Sequence, residues 1–167
     1  MRYFPAAVAL SLLAAVSASM GQAQAYQADP RAVALVEQGK AQIKAGETDT
    51  AIGSFESALA VDPGYSAVYV ELANAARLQG LQGKAIHYYR AAQEREPANL
   101  AAISGEGAAL VEKGAVEKAR RNLSKLESMC GSGCAETEEL AAAIAKGPTP
   151  QVLTAEAVVP DPVVTQN

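Results

Sequence analysis

The sequence predicts an all-α protein, an α-solenoid of three helix pairs closed by a C-terminal capping helix. Gly46, Gly80 and Gly114 recur every thirty-four residues, and Ala51, Ala85 and Ala119 keep the same step. Bulky Phe55, Tyr89 and Leu123 follow at that interval, then Ala58, Ala92 and Leu126, with Pro63 and Pro97 closing the first two units. A period in this range marks units that are each one helix pair and that bury their apolar face only against their neighbours. Such an array offers a surface rather than a reaction centre. The sequence therefore points to a binding module and does not name its partner.

The first stretch is not read as fold. Arg2 precedes an uncharged run from Tyr3 to Tyr26 whose apolar heart is Ala6 to Val16. It ends in Ala23-Gln24-Ala25, the small-x-small pattern of a signal-peptidase site. Residues 1–25 are expected to be an export signal cleaved before Tyr26, which places the protein in the periplasm of a bacterial envelope. The alternative is an uncleaved anchor, but the apolar heart is shorter than the roughly 20 residues a spanning helix needs. No stable membrane insertion is expected after cleavage. Loss of Arg2 takes the net charge from −4 to −5. That is the wrong sign for a nucleic-acid binder, which needs a basic face to displace counterions.

After a lead-in, 26–31, the units span 32–65, 66–99 and 100–133. Asp29 can cap the first helix, expected over Pro30 to Ala45, with Pro30 where a missing N–H costs nothing. Gly46 ends it, and a second helix over Asp49 to Val61 stops at Asp62-Pro63. The second unit repeats this with Ser66 to Gln79, Gly80, then Gly83 to Arg95. The third gives Leu100 to Lys113, Gly114, then Val116 to Met129. Residues 134–146 form the capping helix: Glu136, Glu138 and Glu139 suit the positive end of its dipole, and Leu140 and Ile144 share a face. Residues 147–167 carry Pro148, Pro150, Pro160 and Pro162, no basic residue and no helical period. They are expected to be a disordered tail, with Val158-Val159 or Val163-Val164 as a candidate docking segment.

Leu35, Gly39, Ala51, Phe55, Ala58 and Pro63 in the first unit form a pattern that resembles the tetratricopeptide repeat family. Tyr69, Leu72, Ala73, Ala85, Tyr89, Ala92 and Pro97 repeat it in the second unit. Ile103, Gly107, Leu110, Ala119 and Leu123 carry the third, where Leu126 replaces a small residue and Gly131 the closing proline. The resemblance covers Ala32 to Cys130. It implies a concave groove lined by the second, fifth, ninth, twelfth and thirteenth places of each first helix, which bind a peptide or protein segment. Those places include Val33, Val36, Lys40, Ile43 and Lys44, then Val70, Asn74, Arg77 and Leu78, then Ser104, Ala108, Val111 and Glu112. Lys40, Lys44 and Arg77 suggest a basic cluster, and Asn74 a hold on the ligand backbone. A full carboxylate clamp is not expected, because Ser104 and Ala108 stand where it needs basic residues.

Cys130-Gly131-Ser132-Gly133-Cys134 holds the only cysteines. In an oxidising compartment they are expected to pair, pinning the capping helix to the array. The rival reading is a thiol-dependent protein working in redox exchange or metal handling. Against it, redox dithiols usually have two intervening residues, and the one histidine, His87, lies far away in the sequence. No Ser–His–Asp set can be assembled, so neither a catalytic role nor a cofactor is expected. Gly105 and Gly107, which cost helix stability, point to close helix packing rather than a phosphate loop. Self-association through an exposed flank is a third reading.

Overall fold

The computed structural model describes residues 26–148. The expected export signal, 1–25, and residues 149–167 of the expected tail lie outside them. Among the described residues seven helices follow one another: α1 (Pro30–Lys44), α2 (Thr48–Val61), α3 (Ser66–Leu78), α4 (Gln82–Arg95), α5 (Leu100–Glu112), α6 (Val116–Cys130) and α7 (Ala135–Lys146). Each starts and stops within about one residue of its sequence expectation. Asp29 caps α1 by accepting the Arg31 N–H at 2.8 Å. Pairs α1–α2, α3–α4 and α5–α6 are antiparallel hairpins stacked in order. α1, α3, α5 and α7 lie side by side along one face. The fold is an all-α solenoid.

The turn inside each pair is the same motif three times. Gly46, Gly80 and Gly114 have φ of 82°, 73° and 82°. Their N–H groups bond Ile43, Arg77 and Val111, and the next N–H groups reach back to Gln42, Ala76 and Leu110. This double bond satisfies the last carbonyls of the helix and needs a residue tolerant of positive φ. The turn between pairs is set by proline. Asp62 and Glu96 are both extended (φ −141° and −135°), because a following proline excludes the helical region, so α2 and α4 end at matching places. In the third unit Gly131, at φ 87°, does this instead, and α6 runs one residue longer.

Two apolar clusters fill the seams. One joins α1–α3 around Phe55, and the other joins α3–α7 around Tyr89. Small residues make room for the rings. A Cβ on Gly39 would overlap the Phe55 ring, one on Gly105 the Tyr89 ring, and one on Gly107 the Leu140 side chain. The paired helix glycines are thus packing devices. Between them, buried Glu106 accepts from Arg90 Nε at 2.7 Å, Gln93 Nε2 at 2.8 Å and Asn122 Nδ2 at 3.3 Å. This ties α4, α5 and α6 together with a satisfied carboxylate.

The lead-in is held by one side chain. Asp62 accepts the Asp29 N–H at 2.9 Å, the Tyr26 hydroxyl at 2.7 Å and the Gly64 N–H at 3.1 Å. These bonds, the Asp29 N–H first, hold its carboxyl below the usual range, while partial desolvation and the Asp62 bond push the Tyr26 phenol up to about 12. A lowered carboxyl pKa stabilises the clip above the unfolded value of about 3.9 and is lost as pH falls through the folded value. Tyr26 ring resonances should therefore change in one step below about pH 4, and Asp62→Asn should abolish that step.

Candidate functional site

Helices α1, α3, α5 and α7 present their inner sides to two adjoining cavities. One, of about 250 Å³, is lined by Lys40, Ile43 and Lys44 of α1 with Glu71, Asn74 and Leu78 of α3. The other, of about 480 Å³, lies between Val70, Asn74 and Arg77 of α3, Ser104 and Ala108 of α5, and Glu136 and Glu139 of α7. Asn74 is common to both, so together they make one groove across the solenoid. Of the residues expected at groove places, Lys40, Ile43, Lys44, Val70, Asn74, Arg77, Leu78, Ser104 and Ala108 line these cavities, and Val33, Val36, Val111 and Glu112 do not.

Val36 is corrected. It is 1% exposed, inside the apolar cluster that also holds Val68 and Leu72 of α3. Full burial of a valine is worth about 1.5–3 kcal/mol, and the α1–α3 seam claims it. Val111 is buried for the same reason. The expected basic cluster is also corrected. Lys40 reaches Glu37 at 3.0 Å and Glu71 at 3.6 Å, and the Glu37 bond raises its pKa. Arg77 is half-buried and gripped by both Glu112 oxygens, which raises its guanidinium pKa further. Lys44 alone of the three makes no ion pair among the described residues. The pairing has a sequence signal. Arg77 and Glu112 are both groove places, one unit and one place apart, so neighbouring helices bring them together.

Behind the groove, the buried Tyr89 hydroxyl donates to Asn74 Oδ1 at 2.5 Å. Desolvation pushes that phenol up, so it stays a proton donor. Asn74 is exposed at both cavities, and its oxygen, not its amide nitrogen, is the engaged atom. Among the described residues that nitrogen makes no hydrogen bond.

Glu136, Glu139 and Ala143 of α7 are wall residues that sequence reasoning assigned to a solvating cap. The helix stands where a fourth unit would begin, which is the signal. The extra residue in α6 shifts its register, bringing Glu139 rather than Glu138 to the cavity. α7 is held there by Leu140 against Gly107, by Ser104 Oγ donating to the Glu136 carbonyl at 3.1 Å, and by a Cys130–Cys134 disulfide. Thr137 Oγ1 lies 3.0 Å from Cys134 Sγ and 3.6 Å from Cys130 Sγ, so the bridge sits on the first turn of α7. His87 is exposed beside Tyr88. Among the described residues no cluster of His, Cys, Asp or Glu could hold a metal, and no helix is long and apolar enough to cross a membrane.

Compared by sequence, the chain matches no family model and no curated protein. Compared by structure, it is similar to the first TPR domain of Spaghetti (RPAP3) bound to the HSP90 peptide SRMEEVD. The TM-score is 0.64 at 21% identity, over 71% of this chain and 94% of that one. The Arabidopsis OM64 TPR domain gives 0.63 at 15% identity, over 70% and 95%. The Yersinia enterocolitica type III secretion chaperone SycD, in complex with a peptide of the translocator YopD, gives 0.58 at 19% identity, over 67% and 85%. The fold is tetratricopeptide-repeat-like.

Proposed function

We propose that this protein is a non-catalytic scaffold that holds an extended protein segment in its groove, exported to the bacterial envelope. One observation carries the reading: two cavities meet at an Asn74 amide whose oxygen is tied inward by Tyr89 and whose nitrogen is left for a ligand carbonyl. Apolar contact comes from Ile43, Val70 and Leu78. The groove is polar at both ends, with Lys44 the unpaired cation at α1 among the described residues and Glu136 and Glu139 at α7, so a bound segment has a preferred direction. Spaghetti and SycD, each solved with a peptide, lend support by likeness of fold.

The test is a crosslinking pull-down from the envelope fraction with the mature chain, comparing wild type with an Asn74→Ala, Lys44→Glu variant. Arg77→Glu is a poor choice, because it would set a second carboxylate against Glu112 and lower stability. Partners should be lost by about tenfold or more in the variant, in line with two interface contacts of 1 kcal/mol or so each. Full retention at equal helicity would remove the groove as the working surface.

The bridge serves the scaffold rather than thiol chemistry. A ring this short stabilises by about 2 kcal/mol at most in the loop-entropy model. A Cys130→Ser, Cys134→Ser variant should keep its partners and unfold at slightly lower denaturant. Rapid alkylation of the native protein under mild reductant, with partners lost in the variant, would favour the thiol-dependent reading.

A further inference from the structure

We propose that the α5–α7 end of the groove seats a basic side chain, so that the segment the scaffold holds carries an arginine, or less well a lysine, against Glu136 and Glu139. The inference rests on the groove reading above and names the chemistry of its ligand. Charge pairing within the groove singles these two residues out. Of the charged side chains that line the two cavities, Lys40 and Glu71 hold each other, and Arg77 is held by both Glu112 oxygens. Lys44 is left at one end, and Glu136 and Glu139 at the other. Among the described residues none of the three makes an ion pair.

Glu136 and Glu139 stand three places apart on α7, on one face, and like charges so placed disfavour each other until a cation comes between them. The positive end of the helix dipole accepts acids anywhere around the first turn, so it does not account for a pair turned to the cavity. Nor does α7 supply the cation: four places past Glu139 stands Ala143, and four past Glu136 the buried Leu140. The facing wall on α5 is made of short side chains, Ala101, Ser104, Gly105 and Ala108, and the cavity of about 480 Å³ has room for the stem of a long one. Arginine suits the pair better than lysine, because its planar guanidinium presents several donors in fixed directions to two acceptors. The wall is in place before a ligand arrives, since Leu140 against Gly107, the Ser104 bond and the disulfide hold α7. A backbone carbonyl of the same segment can meet the Asn74 amide, which lines the same cavity, while Lys44 repels a basic residue from the α1 end.

The probes are end-blocked peptides, acetyl-Ala-Val-Ala-Xaa-Ala-Val-Ala-amide with arginine, leucine or glutamate at Xaa, titrated into the full mature chain and followed by its amide resonances. At low ionic strength the arginine peptide should bind about fivefold more tightly than the leucine peptide, the gain of two partly exposed charge contacts, and the glutamate peptide should bind most weakly. Shifts should centre on Asn74, Glu136, Glu139 and Ala143. Glu136→Gln, Glu139→Gln should erase the arginine preference and leave the leucine peptide's affinity unchanged. Glu138→Gln, on the same turn but outside the cavity lining, should keep the preference. No binding of the arginine peptide at about 1 mM overturns the proposal. So do equal affinities for arginine and leucine, a preference that survives Glu136→Gln, Glu139→Gln, or shifts centred on another face. A dimer mass that this double variant abolishes would assign the carboxylates to a second copy and overturn it too. Envelope partners lost from the Asn74→Ala, Lys44→Glu variant, with no arginine preference, would sink this inference and leave the scaffold reading standing. An arginine preference with partners indifferent to both double variants would do the reverse.

Discussion

Replacing Tyr89 with alanine is expected to cost about 3–5 kcal/mol, the range for deleting a fully buried aromatic ring. Tyr89 has no exposed surface and sits at the middle of the array, its ring against Gly105 of the next unit and its hydroxyl against Asn74. The glycine makes the loss severe: a backbone with no Cβ has nothing to move into the space the ring leaves. Tyr89→Phe keeps the packing and loses the hydroxyl, at a cost of about 1 kcal/mol. Denaturant unfolding separates the two. Because contacts in a solenoid run only between neighbours, a break at the centre should also part the halves. Hydrogen exchange of Tyr89→Ala should show α1–α3 and α5–α7 protected to different free energies, with α4 lowest. A small cost, or one uniform loss of protection, would mean that the ring does not couple the units.

Most of this fold was legible because its determinants are local and repeated. Gly46, Gly80 and Gly114 announce a turn that only positive φ can make, and Pro63 and Pro97 forbid the helix to continue. Neither needs knowledge of what lies across the seam. The groove was legible to the extent that it follows from helix places, which is why Lys40, Ile43, Lys44, Val70, Asn74 and Arg77 line it. What failed was pairing and depth. Whether Val36 opens to the groove or closes into the seam depends on how near α3 lies, which no spacing within α1 records. Whether Arg77 is a free charge depends on Glu112, one helix away. The wall supplied by α7 was missed because Glu136 and Glu139 had a sufficient local explanation in the helix dipole. Two roles for one side chain look the same in sequence.

The second large effect tests whether α7 is a wall or only a lid. Leu140 is fully buried, and a Cβ on Gly107 would lie 2.5 Å from its Cδ2, so the glycine and the leucine are one fitted pair. Leu140→Ala should cost about 2–5 kcal/mol by emptying that space. Gly107→Ala gains up to about 1 kcal/mol of helix propensity. It loses about 1–3 kcal/mol to overpacking against Leu140. In the double variant the added methyl enters the space the leucine vacated, so the total should fall short of the sum by about 0.5–3 kcal/mol. Additive costs would show that the two side chains are not in contact. The damage should also be local: a terminal element of a solenoid opens alone, so amides of α7 should lose protection well before those of α3. The disulfide cannot prevent this, since it holds only the first residues of the helix and leaves Leu140 to hold the rest. With α7 open, Glu139 and Ala143 leave the larger cavity while Lys44 and Leu78 keep theirs. A partner that binds along the whole groove should then be lost from Leu140→Ala as it is from the Asn74→Ala, Lys44→Glu variant. A partner that survives Leu140→Ala reads only the α1–α3 half.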